Sequence, residues 1–435
     1  MGKWSNKWTR AAIPALLIHC SIGMVYCWSY FKADIAHYIG AEKASVEWAF
    51  SLAIFFLGMS AAFAGDIVEK NVKVASTISM IFFNLGLVLT GLFVHLKFLP
   101  GILLSYGVIM GIGLGIGYLS PVKTLMLWFK EKKGLATGIA VAGFGLAKVI
   151  ATPLIELFEE KLCGPRDAEG FLIDGSNLWK VFLIFAAIYT VLMFIGRTLL
   201  KKPEGWEESH DEMKILDYIK KPLSLAGEMF KKPVFLGIWL MFYLNIACGL
   251  ALISQEKDIY AAIGFDSYPI FGIITVTFAT MGSVTAMFNA GGRLFYSATA
   301  DKLKDRNTIY KFIFILSIVA ISVNVIFNSI ENSIIPLVLI LMCIVNANYG
   351  GGFSNVPTLL ADRYGMKAAS KVHGLVLTAW AIAGLTGNQI SAQIVKHASD
   401  QKQGFRMVLI VVGALYLLAL IFSFVLVRPV KEDID

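Results

Sequence analysis

The sequence predicts an all-α membrane protein of twelve transmembrane helices arranged as two pseudo-symmetric six-helix bundles. Three observations lead there. Hydrophobic residues make up 57% of the 435 residues, charged ones only 16%, and the mean hydropathy is +0.70, whereas soluble domains carry about 25% charged residues. Apolar runs of about 20 residues, the length that crosses a bilayer core, recur along the whole chain. Marks in the first half return in the second at a nearly constant offset.

The spans fall at 11 to 32, 45 to 65, 74 to 96, 100 to 128, 135 to 158 and 179 to 199 in the first half. In the second they fall at 233 to 255, 268 to 299, 309 to 329, 334 to 360, 372 to 395 and 405 to 427. The first run continues from Ala11 through Trp28 without a small-residue cleavage site, so it reads as a span rather than a signal peptide. Span four carries Gly111, Gly113, Gly115 and Gly117, and span ten carries Gly350, Gly351 and Gly352. No strand precedes them and no Lys-Ser/Thr follows, which excludes a nucleotide loop. In lipid, small residues let helix backbones approach and slide.

An outer connection at 159 to 178 and a polar one at 201 to 232 are the longest, and the second divides the chain into 1–200 and 233–435. With Met1 inside the cell, the cytoplasmic segments hold 25 Lys and Arg against 10 on the other side, which places both termini in the cytoplasm. The net charge of +8 is mostly this topogenic signal, and nothing else suggests nucleic acid. Cys20, Cys27, Cys248 and Cys343 lie in or at spans and Cys163 lies alone in an outer loop, with no ligand spacing or evident disulfide pair. Clustered Ser/His/Asp, metal-ligand and cofactor signatures are absent, so neither an enzyme nor a cofactor is expected.

The repeat supports the division. Gly65-Asp66-Ile67-Val68-Glu69-Lys70 after span two matches Ser297-Ala298-Thr299-Ala300-Asp301-Lys302 after span eight, with Glu69 and Asp301 separated by 232. Pro121 and Pro357, near the ends of spans four and ten, are separated by 236, and Gly134-Leu135 and Gly374-Leu375 by 240. Such duplication in transporters places the substrate between the halves near the midplane.

Arg293 lies in the apolar stretch of span eight with no acidic residue beside it. A guanidinium near a bilayer midplane costs roughly 2.5–3.5 kcal/mol on insertion scales, so it must face a partner, a cavity or a bound anion. Asn289, Arg293 and Tyr296 fall at i, i+4 and i+7 on one helical face. Arg suits a carboxylate because its planar fork grips both oxygens. A purely structural Arg tied to carbonyls or a carboxylate of a neighbouring helix is the alternative. Lys148 sits about 20 Å into span five at 1.5 Å per residue; it is either a second cation or paired with Glu156. Lys123, near the cytoplasmic end of span four, is expected to snorkel.

The acidic-Lys loops resemble the signature of the major facilitator superfamily, and a closer resemblance is to its oxalate/formate antiporter family. That second likeness is carried by Tyr118-Leu119-Ser120-Pro121-Val122, Trp128-Phe129, Gly134-Leu135-Ala136-Thr137-Gly138, Ala142-Gly143-Phe144-Gly145, Pro203-Glu204-Gly205-Trp206 and Asn289-Ala290-Gly291-Gly292-Arg293. The resemblance implies the major facilitator fold, alternating access and a carboxylate held by Arg293. Where the oxalate carrier has a cation on span eleven this chain has Trp380, and Phe353 stands where that carrier has a tyrosine. One cation suits a monoanion. Trp380 itself is either a cavity wall or a packed core indole. Lys32 resembles the docking lysine of the related monocarboxylate transporters, with an interfacial anchor as the alternative. The aspartate those proteins carry four residues before the arginine is Asn289 here, which argues against a proton site like theirs.

The expected function is secondary transport of a small carboxylate of the lactate, pyruvate or formate type, by exchange or proton symport, in the plasma membrane and as a functional monomer. Arg293 would bind the carboxylate, Asn289 and Tyr296 position it, and Tyr118 and Tyr26 add phenol contacts. Trp28, Asn245, Asn348, Tyr349, His373 and Asn388 complete a cavity. Glu69-Lys70 and Asp301-Lys302 would latch the cytoplasmic gate. Two alternatives remain: oxalate/formate exchange with Lys148 as second cation, and a transport-inactive carboxylate receptor, for which the five residues after Val430 offer no signalling tail.

Overall fold

In a bilayer, backbone amides can bond only to one another, so apolar stretches of this length become helices. The computed structural model describes residues 7–167, 171–206, 216–270 and 274–429. Among them, 10 helices are long and apolar enough to cross a membrane. One of these, Ile335–Lys396, is two helices joined at Gly365, whose φ of 78° interrupts the helical backbone where glycine is tolerated. Phe278–Ala300, richer in polar residues, is a further helix of spanning length. Spans ten and eleven are thus continuous through a kink, and the described residues hold twelve helices of spanning length.

Span eight departs from expectation at its start. Residues Ser267–Ile270 and Ile274–Thr277 form an antiparallel pair, with Ser267 opposite Thr277 and Ile270 opposite Ile274. The β-branched run Ile274-Thr275-Val276-Thr277 favours the extended form. Thr277 then starts the helix with a capping box closed by Thr280. Span five instead runs longer than expected, Lys133–Cys163, which moves Cys163 from a loop to a buried helix end. Within 201–232, Asp217–Met229 is helical, while 207–215 lie outside the described residues.

The halves meet where span two lies against span eleven and span five against span eight. Glycines bring the halves into close contact at Gly58, facing the Leu377 carbonyl, Gly65, facing Lys371, Gly134, facing the Ser297 carbonyl, and Gly374, facing the Ala61 carbonyl. The glycines of spans four and ten do something else. Gly115 abuts the Leu57 carbonyl within the first half and Gly352 abuts Asn245 within the second. They fix helices inside each bundle rather than at the sliding surface between bundles.

Candidate functional site

On the face that carries residues 7 and 429, the repeat becomes a pair of equivalent contacts. Asp301 accepts hydrogen bonds from the Gly134 and Leu135 amides, each 2.8 Å, at the start of span five in the other half. Glu69 accepts from the Ser370 amide at 3.3 Å, at the start of span eleven. Each acid also holds a cation: Arg306 lies 2.8 Å from Asp301, and Lys123 lies 2.8 Å from Glu69. Lys123 is 1% exposed and also donates to the Met366 carbonyl. It therefore does not snorkel, because a carboxylate and a carbonyl reach it inside the protein. Asp66 binds Lys371 at 2.7 Å. The neighbouring lysines are not the partners of these acids: Lys302 is exposed, and Lys70 lies over the Tyr218 ring at 5.7 Å.

On the opposite face a cavity of about 550 Å³ opens between the halves. Span one contributes Tyr26, Trp28, Tyr30 and Lys32, and span five Lys148 and Glu156. The second half contributes Glu256 and Lys257, Asn289 of span eight, Asn346 and Tyr349 of span ten and Asn388 of span eleven. A 3-10 turn at Gly23–Cys27 brings Tyr26 to the cavity floor, where its hydroxyl lies 3.4 Å from that of Tyr349. Lys32 is bound to Glu47 at 2.5 Å. Lys148 forms no ion pair with Glu156 and instead lies over the Tyr30 ring at 5.8 Å, so the pairing alternative fails.

Arg293 lies beneath this floor and is absent from the cavity lining. It is 1% exposed. Its Nε donates to Asn289 Oδ1 at 2.9 Å, one of its terminal nitrogens donates to the Val141 carbonyl of the other half at 3.1 Å, and the guanidinium lies 5.3 Å over Phe353. No carboxylate pairs with it among the described residues. Asn289 thus touches both the cavity and the arginine. Tyr296 does not join them, because its hydroxyl donates to Asn348 Oδ1 at 2.5 Å, toward spans nine and ten. A positioning role for Tyr296 on substrate has no geometric support here.

Around Arg293 is a buried aromatic layer. Tyr118 packs on His19, Phe144, His373 and Trp380, and Trp380 lies edge-on to Phe353 at 4.5 Å. Trp380 is therefore a packed indole and not a wall of the open cavity. The layer retains unpartnered polar atoms: Tyr118 Oη, Trp380 Nε1, His373 Nε2 and both amide atoms of Asn245. Buried polar groups without partners are costly, at about 1–3 kcal/mol each.

Sequence reading missed Glu256, Lys257, Asn346 and Thr285. The triplet Glu256-Lys257-Asp258 lies just beyond span seven, in what reads as a loop. Only the fold turns it inward.

The fold and the cavity between the halves are those of a multi-span membrane transporter. The chain belongs to the Major Facilitator Superfamily, whose family model matches residues 15–388. This is a family of transporters, not enzymes. The chain is 23% identical over 398 residues to the oxalate:formate antiporter of Oxalobacter formigenes, covering 90% of this chain and 86% of that protein. It is 23% identical over 463 residues to apicoplast pyruvate carrier 1 of Toxoplasma gondii, covering 85% of this chain and 81% of that one. Its fold matches the transporter FucP in the outward conformation, with a TM-score of 0.68 at 12% identity over 95% of this chain and 97% of FucP.

Proposed function

We propose that this protein carries a small monocarboxylate of the lactate, pyruvate or formate type across the plasma membrane by alternating access. The observation that carries the reading is Arg293, a buried guanidinium at the junction of the halves with no acidic partner among the described residues. Its side-chain hydrogen bonds among the described residues go to the Asn289 amide, the Val141 carbonyl and the Tyr26 hydroxyl, all neutral, so its charge is left for an anion. Relatives that carry oxalate, formate and pyruvate support the substrate class.

The face with both chain ends is read as cytoplasmic from the excess of Lys and Arg there. The cavity then opens outward while Glu69 and Asp301 close the inner side. A carboxylate entering the cavity meets Lys148 and Asn289 first. Reaching Arg293 requires Tyr26 and Tyr349 to part and the Val141 carbonyl to be exchanged for the substrate's oxygens. Trp380, an uncharged indole in the layer, favours one negative charge on the substrate over two. A second reading, oxalate/formate exchange, gains from Lys148, which stands in the cavity without an ion-pair partner among the described residues.

The test is uptake by proteoliposomes of labelled pyruvate, lactate, formate and oxalate, with and without internal substrate. Saturable exchange of the monoanions with weaker oxalate uptake is expected. Tight oxalate exchange would establish the second reading, and no carboxylate uptake under any gradient would end both.

A further inference from the structure

Three ionisable groups in the open cavity are not explained by holding the fold together. Lys148 from the first half and Lys257 from the second both face the ring of Tyr30, at 5.8 and 5.2 Å from its centroid. Neither is in an ion pair among the described residues. Beside Lys257 on the second half is Glu256, 7% exposed, whose Oε1 accepts hydrogen bonds from Tyr260 Oη and Thr285 Oγ1, both 2.8 Å. Its partners are neutral hydroxyls.

The other charged groups of the cavity are otherwise engaged or exposed. On span one, Lys32 is bound to Glu47 of span two, and Lys43 of span two is exposed. Glu156 of span five and Asp258, on Glu256's own helix, are exposed to water. Cys343 on span ten is the remaining ionisable neighbour. No histidine lines the cavity among the described residues. Asn289, next to Arg293, cannot take a proton. Among the described residues that line the cavity, Glu256 is therefore the one buried carboxyl, and it stands beside ammonium groups that form no ion pair there.

We infer that Glu256 is a proton-binding site coupled to the substrate, and that an incoming carboxylate replaces its negative charge beside Lys148 and Lys257. When Glu256 is ionised it partly neutralises the two lysines and repels a second anion. When it takes a proton from the open side, the lysines are left with an excess of positive charge, and a carboxylate binds in its stead. Proton and anion thus favour each other's binding, and linkage makes the effect reciprocal. Burial already pushes the Glu256 carboxyl above its ordinary range, against the pull of Lys148 and of its two hydrogen bonds. Partial desolvation and then the charges of Lys148, Lys32 and Lys43 hold Lys257 below its ordinary range. Both directions fit a site that is one negative charge short when Glu256 is neutral.

The inference rests on the carboxylate reading above, and the experiment separates them. Binding of pyruvate to the purified full chain would be measured by calorimetry from pH 5 to 8, for wild type, Glu256→Gln and Thr285→Val. Proton movement accompanying pyruvate uptake would be followed with a pH dye in liposomes. Wild type should bind about tenfold or more tightly at pH 5 than at pH 8. Glu256→Gln should bind at pH 8 as wild type does at pH 5, and should exchange pyruvate without moving protons. Thr285→Val, which removes one donor to the ionised carboxylate, should move the midpoint of the pH dependence upward and stands in if Glu256→Gln fails to fold. Unchanged pH dependence in Glu256→Gln, or an unmoved midpoint in Thr285→Val, would overturn the role of Glu256 while leaving pyruvate as substrate. Absence of binding by wild type to pyruvate, lactate, formate and oxalate at every pH would instead overturn the carboxylate reading, and the inference with it.

Discussion

The two ends of the interface between the halves treat charge in opposite ways. On the face with the chain ends, each interfacial acid is answered: Glu69 by Lys123 and the Ser370 amide, Asp301 by Arg306 and two amides of span five, Asp66 by Lys371. In the cavity, Lys148, Lys257 and Glu256 stand close without forming an ion pair, and below them Arg293 is held, among the described residues, by neutral groups. The difference separates two tasks. Satisfied charges across an interface hold one arrangement, whereas on the function proposed above the unsatisfied ones await a ligand that changes it. The pairs also differ in what opening costs. A partly buried acid that loses its partners is left with poorer solvation, so the proposed latch opens only when water or a new contact reaches it.

The largest expected effect comes from removing the deepest unanswered charge. Arg293→Ala should reduce exchange by at least about a hundredfold, equivalent to the roughly 3 kcal/mol of a bidentate charge-assisted contact. Arg293→Lys should fall between, since a point charge replaces a fork. Proteoliposome exchange normalised to folded protein measures both, and robust exchange by a folded alanine variant would remove Arg293 from the site. Breaking the answered side should act on populations instead. Asp301→Asn with Glu69→Gln should weaken several charge-assisted bonds of roughly 1.5–3 kcal/mol each. The share of molecules open on that face should rise about tenfold or more. Spin-label distances between spans five and eight at that end would read the shift, and an unchanged distribution would mean that the acids do not latch.

A smaller effect sharpens the cavity side. Lys148→Met should raise the apparent Michaelis constant for pyruvate roughly five- to tenfold, the scale of one partly screened charge, with protein abundance unchanged. Adding Glu156→Gln should alter neither quantity, because the two residues are not paired. Rescue of a lost abundance by the second change would show a structural pair after all. The smallest effect concerns stability. Because burial raises the Glu256 carboxyl, the folded chain holds that proton more tightly than the unfolded chain. The resulting stabilisation is full below the ordinary carboxylate range and is lost as pH rises through the folded value. Glu256→Gln removes the loss, so its melting temperature should exceed that of wild type by a margin on the order of 2 °C at pH 8. The margin should vanish at pH 4. A constant margin across pH would point to packing instead of charge.

The sequence by itself determined the class of molecule, its repeated two-half pattern and the place of Arg293 within an apolar helix. These rest on composition, on apolar run length and on repeated short-range patterns, all of which act locally along the chain. Even the equivalent contacts of Glu69 and Asp301 follow from their repeat, and Gly134 and Gly374 mark matching crossings of the halves. Tertiary structure decided the rest, because a side chain's role at an interface depends on which residue meets it from the other half. Tyr296 shares a helical face with Arg293, yet Asn348 captures its hydroxyl. Lys123 lies near a helix end but finds Glu69, 54 residues away. Lys148 and Glu156 are two turns apart on span five and do not pair, while Lys257 and Glu256, which read as loop, are turned into the cavity. Helix periodicity specifies the direction of a side chain from its own axis, but only the packing of twelve helices brings charges hundreds of residues apart to one cavity and leaves some of them without partners.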